Sequence, residues 1–337
     1  MPVRVAIDGF TGVGRHFLLA VEAGGFDDLF EVTAIRDPAG ASAIADRIRF
    51  DSIYGRFAGQ VASIDGVLHI GDRTVDVLRV ENSESISWEE AGVDLVVWGA
   101  GADPESAIAA GAKKVVTPGL ALDGVTLMPG VNDTFYDPDQ HHIVGVGTAA
   151  GNALARLATI LDRSFGLSRG TYTVAHPASA LRTVGDRIEG VDRRHGSALG
   201  NLIPYASMVS PELDAILPAL AGRIDGTIVE VPVSPVGWLS FCVETERRLN
   251  RQEAVDRLLD AAEEDSLLGV IGAVHGRFVS SDFVADSRSV VVELDDLAMI
   301  GRSMILARAW FDAEWSLACR MADVVTLVCE SGIPGTA

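Results

Sequence analysis

The stretch VRVAIDGFTGVGR, residues 3–15, joins a short apolar run to a glycine-rich turn and the start of an amphipathic helix. Its glycines fall close to the GxGxxG spacing of a dinucleotide-binding turn, with Thr11 where the middle glycine would stand. Gly9 allows the tight turn, Gly12 lets a pyrophosphate approach the helix N-terminus, and Gly14 lets the helix lie close to the strand. The predicted cofactor-binding residues of this turn are Gly9, Phe10, Thr11, Gly12, Val13 and Gly14. The alternative is a glycine turn that only packs a helix.

An acidic residue follows the second predicted strand at the distance that this motif requires. Asp37 lies roughly 20 residues beyond the turn, where a carboxylate accepts hydrogen bonds from the adenosine ribose hydroxyls. We therefore predict NAD as the cofactor. Arg36 stands beside it and offers a partner for a 2′-phosphate, so NADP remains open. Gly101 and Thr117 complete the predicted cofactor-binding set.

The first half of the chain reads as short apolar runs separated by turns and helical stretches, the pattern of βαβ units. One crossover helix is predicted over Arg15–Ala23 and a longer helix over Thr148–Phe165, with Thr148 as its N-cap. The predicted parallel strands are Val3–Asp8, Glu31–Arg36, Asp94–Trp98, Lys114–Val116 and His142–Val146.

The second half alternates apolar and polar residues over several runs, which predicts a mixed, largely antiparallel sheet backed by helices. The predicted strands are Gly170–Val174, Gly226–Pro232, Gly237–Glu246, Phe278–Ser281, Ser289–Asp295 and Met304–Trp310. Helices are predicted over Gln252–Glu264 and Glu314–Cys329. The fold class is therefore α/β, a Rossmann dinucleotide-binding domain followed by an α+β domain.

Composition and charge exclude several classes of protein. With 337 residues, 48% hydrophobic and 22% charged, the chain is long enough for two globular domains and too apolar for disorder. Its net charge of -20 repels nucleic acid and anionic membranes, and no apolar run reaches the roughly 20 residues of a spanning helix. We expect neither of these partners. The opening MPVRVAIDGF lacks a signal-peptide pattern, which predicts a cytoplasmic protein.

The residues that commonly bind metals are scattered. Cys242, Cys319 and Cys329 have neither metal-site nor disulfide-framework spacing, and they are predicted to be apolar core residues. His141 and His142 have no further ligand at suitable spacing. No metal is predicted.

The order of motifs along nearly the whole chain resembles the phosphorylating glyceraldehyde-3-phosphate dehydrogenases. The segments that carry the resemblance are VRVAIDGFTGVGR, FDSIYGRFAG, AAGAKKVV, PGVND, GNALARLATILDRSFG, RTVGD, NLIP, VSSDF and AWFDAEW. The resemblance implies a Rossmann domain over residues 1–148, a catalytic-type domain over 149–312, and a last helix within 313–337 that packs back on the first domain.

The same resemblance implies that the family's covalent chemistry is missing. The family motif similar to SNASCTTN corresponds to Gly145–Asn152, which places Ala149 at the nucleophilic cysteine. An alanine can neither attack an aldehyde nor leave from an acyl intermediate. The family motif similar to TVHAIT is matched so that Ala175 takes the place of the catalytic histidine, with His176 one residue later. Since neighbouring strand residues face opposite sides, His176 is not expected to inherit that role without a bulge.

Four further departures concern the phosphate and nicotinamide sites. Glu230 stands where the family has an arginine, and Ala178 and Ala180 replace threonines after the histidine motif. A carboxylate repels a phosphate dianion, so a triose phosphate is a poor substrate candidate. Ala313 replaces an asparagine that holds the nicotinamide carboxamide in the family.

Some groups with usable chemistry remain. His176, Tyr205 and Thr148 are the candidate catalytic residues, with Thr148 at a helix N-terminus whose N–H groups suit a carbonyl oxygen or carboxylate. Each also has a structural interpretation, as a hydrogen-bonded strand residue, a pocket wall or an N-cap. The candidate substrate-binding residues are Arg182, Arg194 and Ser207. Arg193 and His195 lie in the same polar loop, which alternatively forms a solvated or intersubunit face.

Three functions remain open on these residues. The first is an oxidoreductase that transfers hydride to or from an unidentified small molecule without a covalent intermediate. The second is a non-catalytic NAD-binding sensor or scaffold. The third is an enzyme that acts on NAD or on a derivative of NAD. The first is favoured because His176, Tyr205 and several arginines still offer acid and base groups.

The long polar segment Leu181–Asn201 predicts self-association. It exceeds the length of an ordinary connection, so it needs packing against something to be ordered. We expect a homo-oligomer, a tetramer or a dimer, in which this segment approaches the cofactor cleft of another subunit.

Overall fold

The computed structural model describes residues 2–24, 26, 28–81, 85–99, 103–178, 185, 193–206, 208–264 and 267–335. The chain divides into two compact units. The first comprises Met1–Pro129, Asp133–Gly147 and Leu317–Ala337, and the second comprises Gly130–Asn132 and Thr148–Ser316. Within the described residues, no helix is both long and apolar enough to cross a membrane.

The first unit is built on a sheet of parallel strands with helices in the connections. Its strands are β1 (Val3–Asp8), β2 (Phe30–Arg36), β3 (Phe50–Asp51), β4 (Gly55–Arg56), β5 (Val61–Ile64), β6 (Val67–Ile70), β7 (Arg73–Leu78), β8 (Leu95–Trp98), β9 (Lys114–Thr117), β10 (Val125–Thr126) and β11 (Ile143–Gly145). The helices are α1 (Gly12–Gly24), α2 (Ala41–Arg49) and α3 (Pro104–Ala109). Among the described residues the sheet has nine strands, in the order β10-β11-β9-β8-β1-β2-β7-β6-β5, and β3 and β4 form a separate pair. Pairing is parallel from β10 to β7 and antiparallel among β7, β6 and β5.

The centre of this sheet is buried on both faces, as parallel strands covered by helices are. All four residues of β9 are buried, and so are the last four residues of β1. Phe17 and Val21 of α1 are fully buried, which places the apolar stripe of that helix in the core. The sheet therefore holds the turn between β1 and α1 on a rigid base.

The second unit is built on a mixed sheet. Its strands are β12 (Leu167–Pro177), β13 (Ile203–Tyr205), β14 (Ile224–Val231), β15 (Val236–Thr245), β16 (Ile271–Val274), β17 (Val290–Glu293), β18 (Ala298–Ile300) and β19 (Met304–Asp312). The helices are α4 (Ala149–Phe165), α5 (Val209–Ile216), α6 (Arg251–Glu263) and α7 (Trp315–Glu330), whose residues from Leu317 onward belong to the first unit. The strand order is β13-β14-β12-β15-β19-β17-β16, with β18 paired to β19. β12 pairs with β14 and β16 with β17 in parallel, and the other pairs are antiparallel.

Helix α4 packs against one face of this sheet. Alternate residues of β15 and β19 are buried, and α4 contacts both of these strands and β12. Leu154, Leu157 and Leu161 of α4 are fully buried against it. The helix that begins at the site discussed below is therefore fixed by the core of the second unit.

The structure differs from the predicted elements in several places, and the short elements α2, α3, β10, β13, β16 and β18 were not predicted. Phe278–Ser281 is not a strand, because Asp282 accepts the Val279 N–H at 2.8 Å and closes a 3-10 turn over Ser280–Phe283. The antiparallel strands β5 to β7 were not predicted. Helix α5 was not predicted either. Its Pro211 is compatible with a helix because it lies in the first turn, where a missing N–H costs nothing.

Candidate functional site

The turn between β1 and α1 has the geometry that backbone recognition of a dinucleotide requires. Gly9 adopts φ 92°, a region that favours glycine. A Cβ on Gly14 would lie 2.6 Å from the Gly9 carbonyl oxygen and 2.9 Å from Ile7 Cγ2. Only glycine at this position lets α1 approach the strand, and the helix N-terminus at Gly12 then directs its N–H groups at the turn.

Thr11 takes a structural role in this turn. Its hydroxyl donates to the Gly99 carbonyl oxygen at 2.8 Å and so ties the turn to the end of β8. A Cβ on Gly99 would lie 2.1 Å from the Gly9 carbonyl oxygen. The threonine at the middle glycine position is therefore compatible with a compact turn.

Asp37 lies beside the turn, just after the end of β2. Its carboxylate accepts the Phe10 N–H at 3.1 Å and the Ala39 N–H at 2.8 Å, one on each oxygen. A carboxylate oxygen has two acceptor positions, so both oxygens retain one for a ribose hydroxyl. The side chain is half-buried and held in place before any ligand binds.

Arg36 does not have the position that was expected for a 2′-phosphate ligand. Its side chain is buried, and Nε donates to Asp8 Oδ1 at 2.5 Å while Nη2 forms an ion pair with the same oxygen. Nη1 donates to the Glu81 carbonyl oxygen at 3.3 Å. The guanidinium is thus committed to a buried carboxylate, which corrects the interpretation that left NADP open through this residue.

The structure describes two of the three remaining residues that were predicted to bind the cofactor. Thr117 is buried at the end of β9, and its hydroxyl donates to the Pro118 carbonyl oxygen at 3.3 Å. Val13 lies within the first turn of α1. Gly101 lies outside the described residues. The residues present nevertheless fit NAD, because the close-packed glycines, the helix N-terminus and the ribose carboxylate occur together.

In the second unit, the N-terminus of α4 is occupied by a carboxylate from α5. Glu212 Oε1 accepts the Thr148 backbone N–H at 2.6 Å, and Oε2 accepts the Thr148 hydroxyl at 2.8 Å. Thr148 is the N-cap, since its hydroxyl oxygen also accepts the Gly151 N–H at 3.0 Å. Glu212 was not among the residues predicted from the sequence, and the Thr148 groups were predicted to be available to a substrate.

Hydrogen bonds extend from this carboxylate along the first turn of α4. The Thr148 carbonyl oxygen accepts from Asn152 Nδ2 at 3.0 Å, and Asn152 Oδ1 accepts from Arg156 Nη1 at 2.5 Å. Glu212, Asn152 and Arg156 are each at most 1% exposed. We call these four residues the helix-start network: Glu212, Thr148, Asn152 and Arg156. It places a buried acid and a buried arginine at opposite ends of one hydrogen-bonded chain.

The electrostatics of Glu212 follow from its burial. Removal from water raises the pKa of its carboxyl group to about 7, against the opposing effect of the two Thr148 hydrogen bonds. A carboxyl group with that pKa is partly protonated at neutral pH. The site therefore carries a titratable group that exchanges protons in the range in which most enzymes work.

The sheet register assigns His176 to the face that α4 covers. β12 and β14 pair without interruption from Gly170 to Pro177, and His176 lies opposite Glu230. Two residues earlier, Val174 is fully buried on this face, whereas Ala175 faces the other way beside Trp238. The expectation that His176 needs a bulge is wrong, because in this register His176 rather than Ala175 is directed toward the helix.

His176 is partly buried and is held by a hydrogen bond from one ring nitrogen. Its Nδ1 bonds the Pro177 carbonyl oxygen at 2.8 Å, which holds the proton on Nδ1 and leaves Nε2 as the basic nitrogen. Burial lowers the pKa of His176, and the Pro177 bond and the Glu230 charge oppose that shift. The ring lies 6.3 Å from that of Phe311, measured between centroids.

Glu230 and Tyr205 share the same face of the sheet. Glu230 is buried and pairs in register with Ile203, two residues before Tyr205 on β13. Tyr205 is half-buried. The structure thus brings His176, Glu230 and Tyr205 to one side of the sheet, the side on which α4 packs.

The candidate substrate-binding residues fall outside what the structure describes. Arg182 and Ser207 lie outside the described residues, as does the side chain of Arg194. Arg193 and His195 belong to a 3-10 turn and line a cavity of about 630 Å³ with Ile203 and Pro204. In the nicotinamide-site motif, Ala313 donates its backbone N–H to the Pro235 carbonyl oxygen at 3.1 Å.

The three cysteines carry no sign of nucleophilic function. Cys242, Cys319 and Cys329 form no disulfide and are half-buried, which is less than the full burial expected of core residues. Burial raises the pKa of Cys242, and it raises the pKa of Cys329 to about 12 with help from Asp94 and Glu330. Thiols with raised pKa values are poor nucleophiles.

Comparison with known proteins finds relatives that span both units. Residues 3–103 match the family model described as the glyceraldehyde 3-phosphate dehydrogenase NAD binding domain, and residues 149–313 match the model of the C-terminal domain of the same enzyme. A glyceraldehyde-3-phosphate dehydrogenase of Streptomyces coelicolor is 31% identical over 97% of this chain and 99% of its own length. Glyceraldehyde-3-phosphate dehydrogenase 2 of Streptomyces arenae is 32% identical over 98% and 100%, and that of Trichormus variabilis is 29% identical over the same shares.

Proposed function

Because this chain belongs to the glyceraldehyde-3-phosphate dehydrogenase family, with an NAD-binding domain of that family, we propose that it is an NAD-dependent oxidoreductase without a thiol nucleophile. It transfers hydride directly to or from a small molecule other than a triose phosphate. The observation that carries this proposal is the start of α4, where Ala149 follows Thr148 and Glu212 fills the helix N-terminus.

The covalent route needs a thiol at the start of α4. The resemblance places the family nucleophile at Ala149, which is the first residue of α4 and buried. Oxidation of an aldehyde to an acyl phosphate passes through a thiohemiacetal and a thioester, and a methyl group forms neither. Direct hydride transfer between a carbonyl or imine and its reduced form needs only a positioned proton donor or acceptor.

The chain's own residues supply binding and proton transfer. The turn from Gly9 to Gly14 holds the pyrophosphate of NAD, and Asp37 holds the adenosine ribose. NAD, when bound, supplies the hydride acceptor or donor. His176 accepts or donates the proton at Nε2, and the Glu230 charge supports its cationic form. Tyr205 lies on the same face and is the second candidate for contact with the substrate.

The buried carboxylates of the second unit favour an uncharged substrate. Glu230 and Glu212 are both buried, and neither one can attract a phosphate. A buried carboxylate interacts with an anion through a low effective dielectric, which makes the repulsion stronger than at the surface. We therefore propose an uncharged carbonyl compound, its alcohol, or an imine as the substrate class.

A non-catalytic NAD-binding protein is the second candidate. The observation that favours it is the Thr148 hydroxyl, which donates to Glu212 and accepts from Gly151 and so has no remaining proton for a substrate. In this case the chain keeps the cofactor site as a sensor or scaffold.

One experiment decides between these two candidates. Purified protein is incubated with NADH and a panel of uncharged aldehydes, ketones and imines, together with a small-molecule extract, and NADH loss is followed with product identification by mass spectrometry. We expect turnover that His176→Asn abolishes while NADH affinity, measured by calorimetry, stays unchanged. Normal NADH binding without turnover on any member would instead support the non-catalytic candidate.

A further inference from the structure

The geometry points to Glu212 as the residue that decides which reaction class the start of α4 supports: its carboxylate occupies the helix N-terminus and prevents a thiol at position 149 from being activated. This inference goes beyond the proposed function, since it concerns the environment of position 149 whatever the substrate is. It makes the loss of thiol chemistry a property of two positions, Ala149 and Glu212, rather than of the alanine alone.

The Glu212 carboxylate lies directly at the N-terminus of α4. Glu212 lies in the first turn of α5, is fully buried, and places both oxygens on Thr148, on the N–H at 2.6 Å and on the hydroxyl at 2.8 Å. A Cβ added to Gly151 would lie 2.1 Å from Oε1 and 2.4 Å from Cδ. The carboxylate therefore fills the space above the first turn of α4 down to the helix backbone.

A helix N-terminus favours ionisation of a thiol placed on it. The N-terminus carries roughly half a positive charge, and this charge lowers the pKa of cysteines placed there. Above about pH 7, where Glu212 is ionised, that charge in α4 is already paired with an internal anion. A thiolate formed at position 149 would meet a second negative charge instead of an uncompensated positive end.

Asn152 and Arg156 support this arrangement from within α4. Arg156 is buried one turn further along the helix and reaches the network through Asn152. The network thus contains a balancing positive charge, which is what retention of a buried carboxylate requires. The arrangement is complete without any substrate.

Other charged and titratable groups lie on α4 and on the elements that pack against it. Among them are Arg156 on α4, Glu212 on α5, His176 on β12 with Glu230 opposite it on β14, and Glu293 on β17. In the part of the chain that the structure describes, only Glu212 bonds the N-cap residue of α4 through both of its oxygens. Comparison of variants that differ only at position 212 keeps the contributions of the other groups constant.

The test installs a thiol and measures its ionisation. Ala149→Cys is prepared alone and combined with Glu212→Gln, which keeps the shape of the side chain and removes the charge. The rate at which iodoacetamide alkylates the introduced thiol is measured against pH, resolved by peptide mass spectrometry from the three native cysteines. We expect a thiol pKa at or above the ordinary value of about 8.5 in the single variant and a value lower by about one unit or more in the double variant.

One control and one alternative variant keep the result specific. Ala149→Cys with Glu293→Gln removes another buried carboxylate, on β17, and is expected to leave the pKa of the introduced thiol unchanged. Glu212→Ser replaces Glu212→Gln if the first double variant does not fold. A thiol pKa already below about 7.5 in the single variant overturns the proposal, and so does a thiol pKa that neither substitution at position 212 lowers.

Discussion

The Glu212 carboxylate accepts hydrogen bonds from both the backbone N–H and the hydroxyl of Thr148, although Glu212 and Thr148 lie 64 positions apart in the sequence. This pair joins α5 to the residue just before α4 and fills the site at which a covalent dehydrogenase would generate its thiolate.

The pKa of Glu212 predicts how stability changes with pH. Because burial raises this pKa from 4.5 to about 7, the folded chain binds the proton more tightly than the unfolded chain does. The resulting contribution to stability is complete below about pH 4.5 and is lost as the pH rises through 7, at most about 3 kcal/mol in all. We expect Glu212→Gln to be more stable than the wild type at pH 8 and to lack this loss.

Denaturant unfolding of both proteins at pH 5 and pH 8 measures this difference. Glu293→Gln serves as the matched variant and should keep the wild-type pH dependence. An equal pH dependence in the wild type and Glu212→Gln would show that Glu212 does not titrate in this range.

Asp37 is expected to contribute to the affinity for NAD. Asp37→Ala removes the two acceptor positions that remain for the ribose hydroxyls, and we expect at least a tenfold loss of affinity, about 1.4 kcal/mol. Titration calorimetry with NAD measures it. Asp46→Ala, at an exposed position of α2, should bind as the wild type does. Equal affinities of the two variants would remove Asp37 from the cofactor site.

The ion pair of Arg36 with Asp8 predicts a stability effect without a change in cofactor preference. Both side chains are almost fully buried, so Arg36→Met leaves an unpaired carboxylate and should lower the free energy of unfolding by about 3 kcal/mol. Adding Asp8→Asn should restore much of the loss. The ratio of NADP to NAD affinity should not change in the double variant, because the guanidinium is not directed at a phosphate. Selective loss of NADP affinity would contradict this account.

Self-association remains a prediction. Most of Leu181–Asn201 lies outside the described residues, but Leu199 near its end and Leu202 just after it are 60% and 70% exposed. Exposed leucines next to a long segment favour a dimer or tetramer. Light scattering coupled to gel filtration should give a multiple of 35.6 kDa, and Leu202→Glu should lower it. A monomer across micromolar concentrations would refute the prediction.

The cofactor turn could be predicted from the sequence because its requirements are local. Strand β1 has the predicted bounds, and the roles of Gly9 and Gly14 follow from backbone geometry that a glycine pattern encodes. The match to an NAD binding domain confirms the predicted cofactor. Short-range constraints of this kind leave a signature in residue spacing.

The contacts that decide the chemistry are not local, and the sequence did not reveal them. Arg36 meets Asp8 across two strands, and Glu212 reaches Thr148 from a helix that was not predicted. The sheet face to which His176 belongs depends on the strand register. An error of one residue in motif matching assigns the side chain to the opposite face. A buried acid in a short helix behind a proline is a weak signal, but it is the one that could have indicated Glu212.

The most direct test of the central claim is the phosphorylating dehydrogenase assay, with glyceraldehyde 3-phosphate, inorganic phosphate and NAD, on protein shown by calorimetry to bind NAD. The account predicts no NADH formation above the background, because Ala149 forms no thiohemiacetal and Glu230 opposes the phosphate. NADH formation that follows the purified protein through successive columns would contradict it.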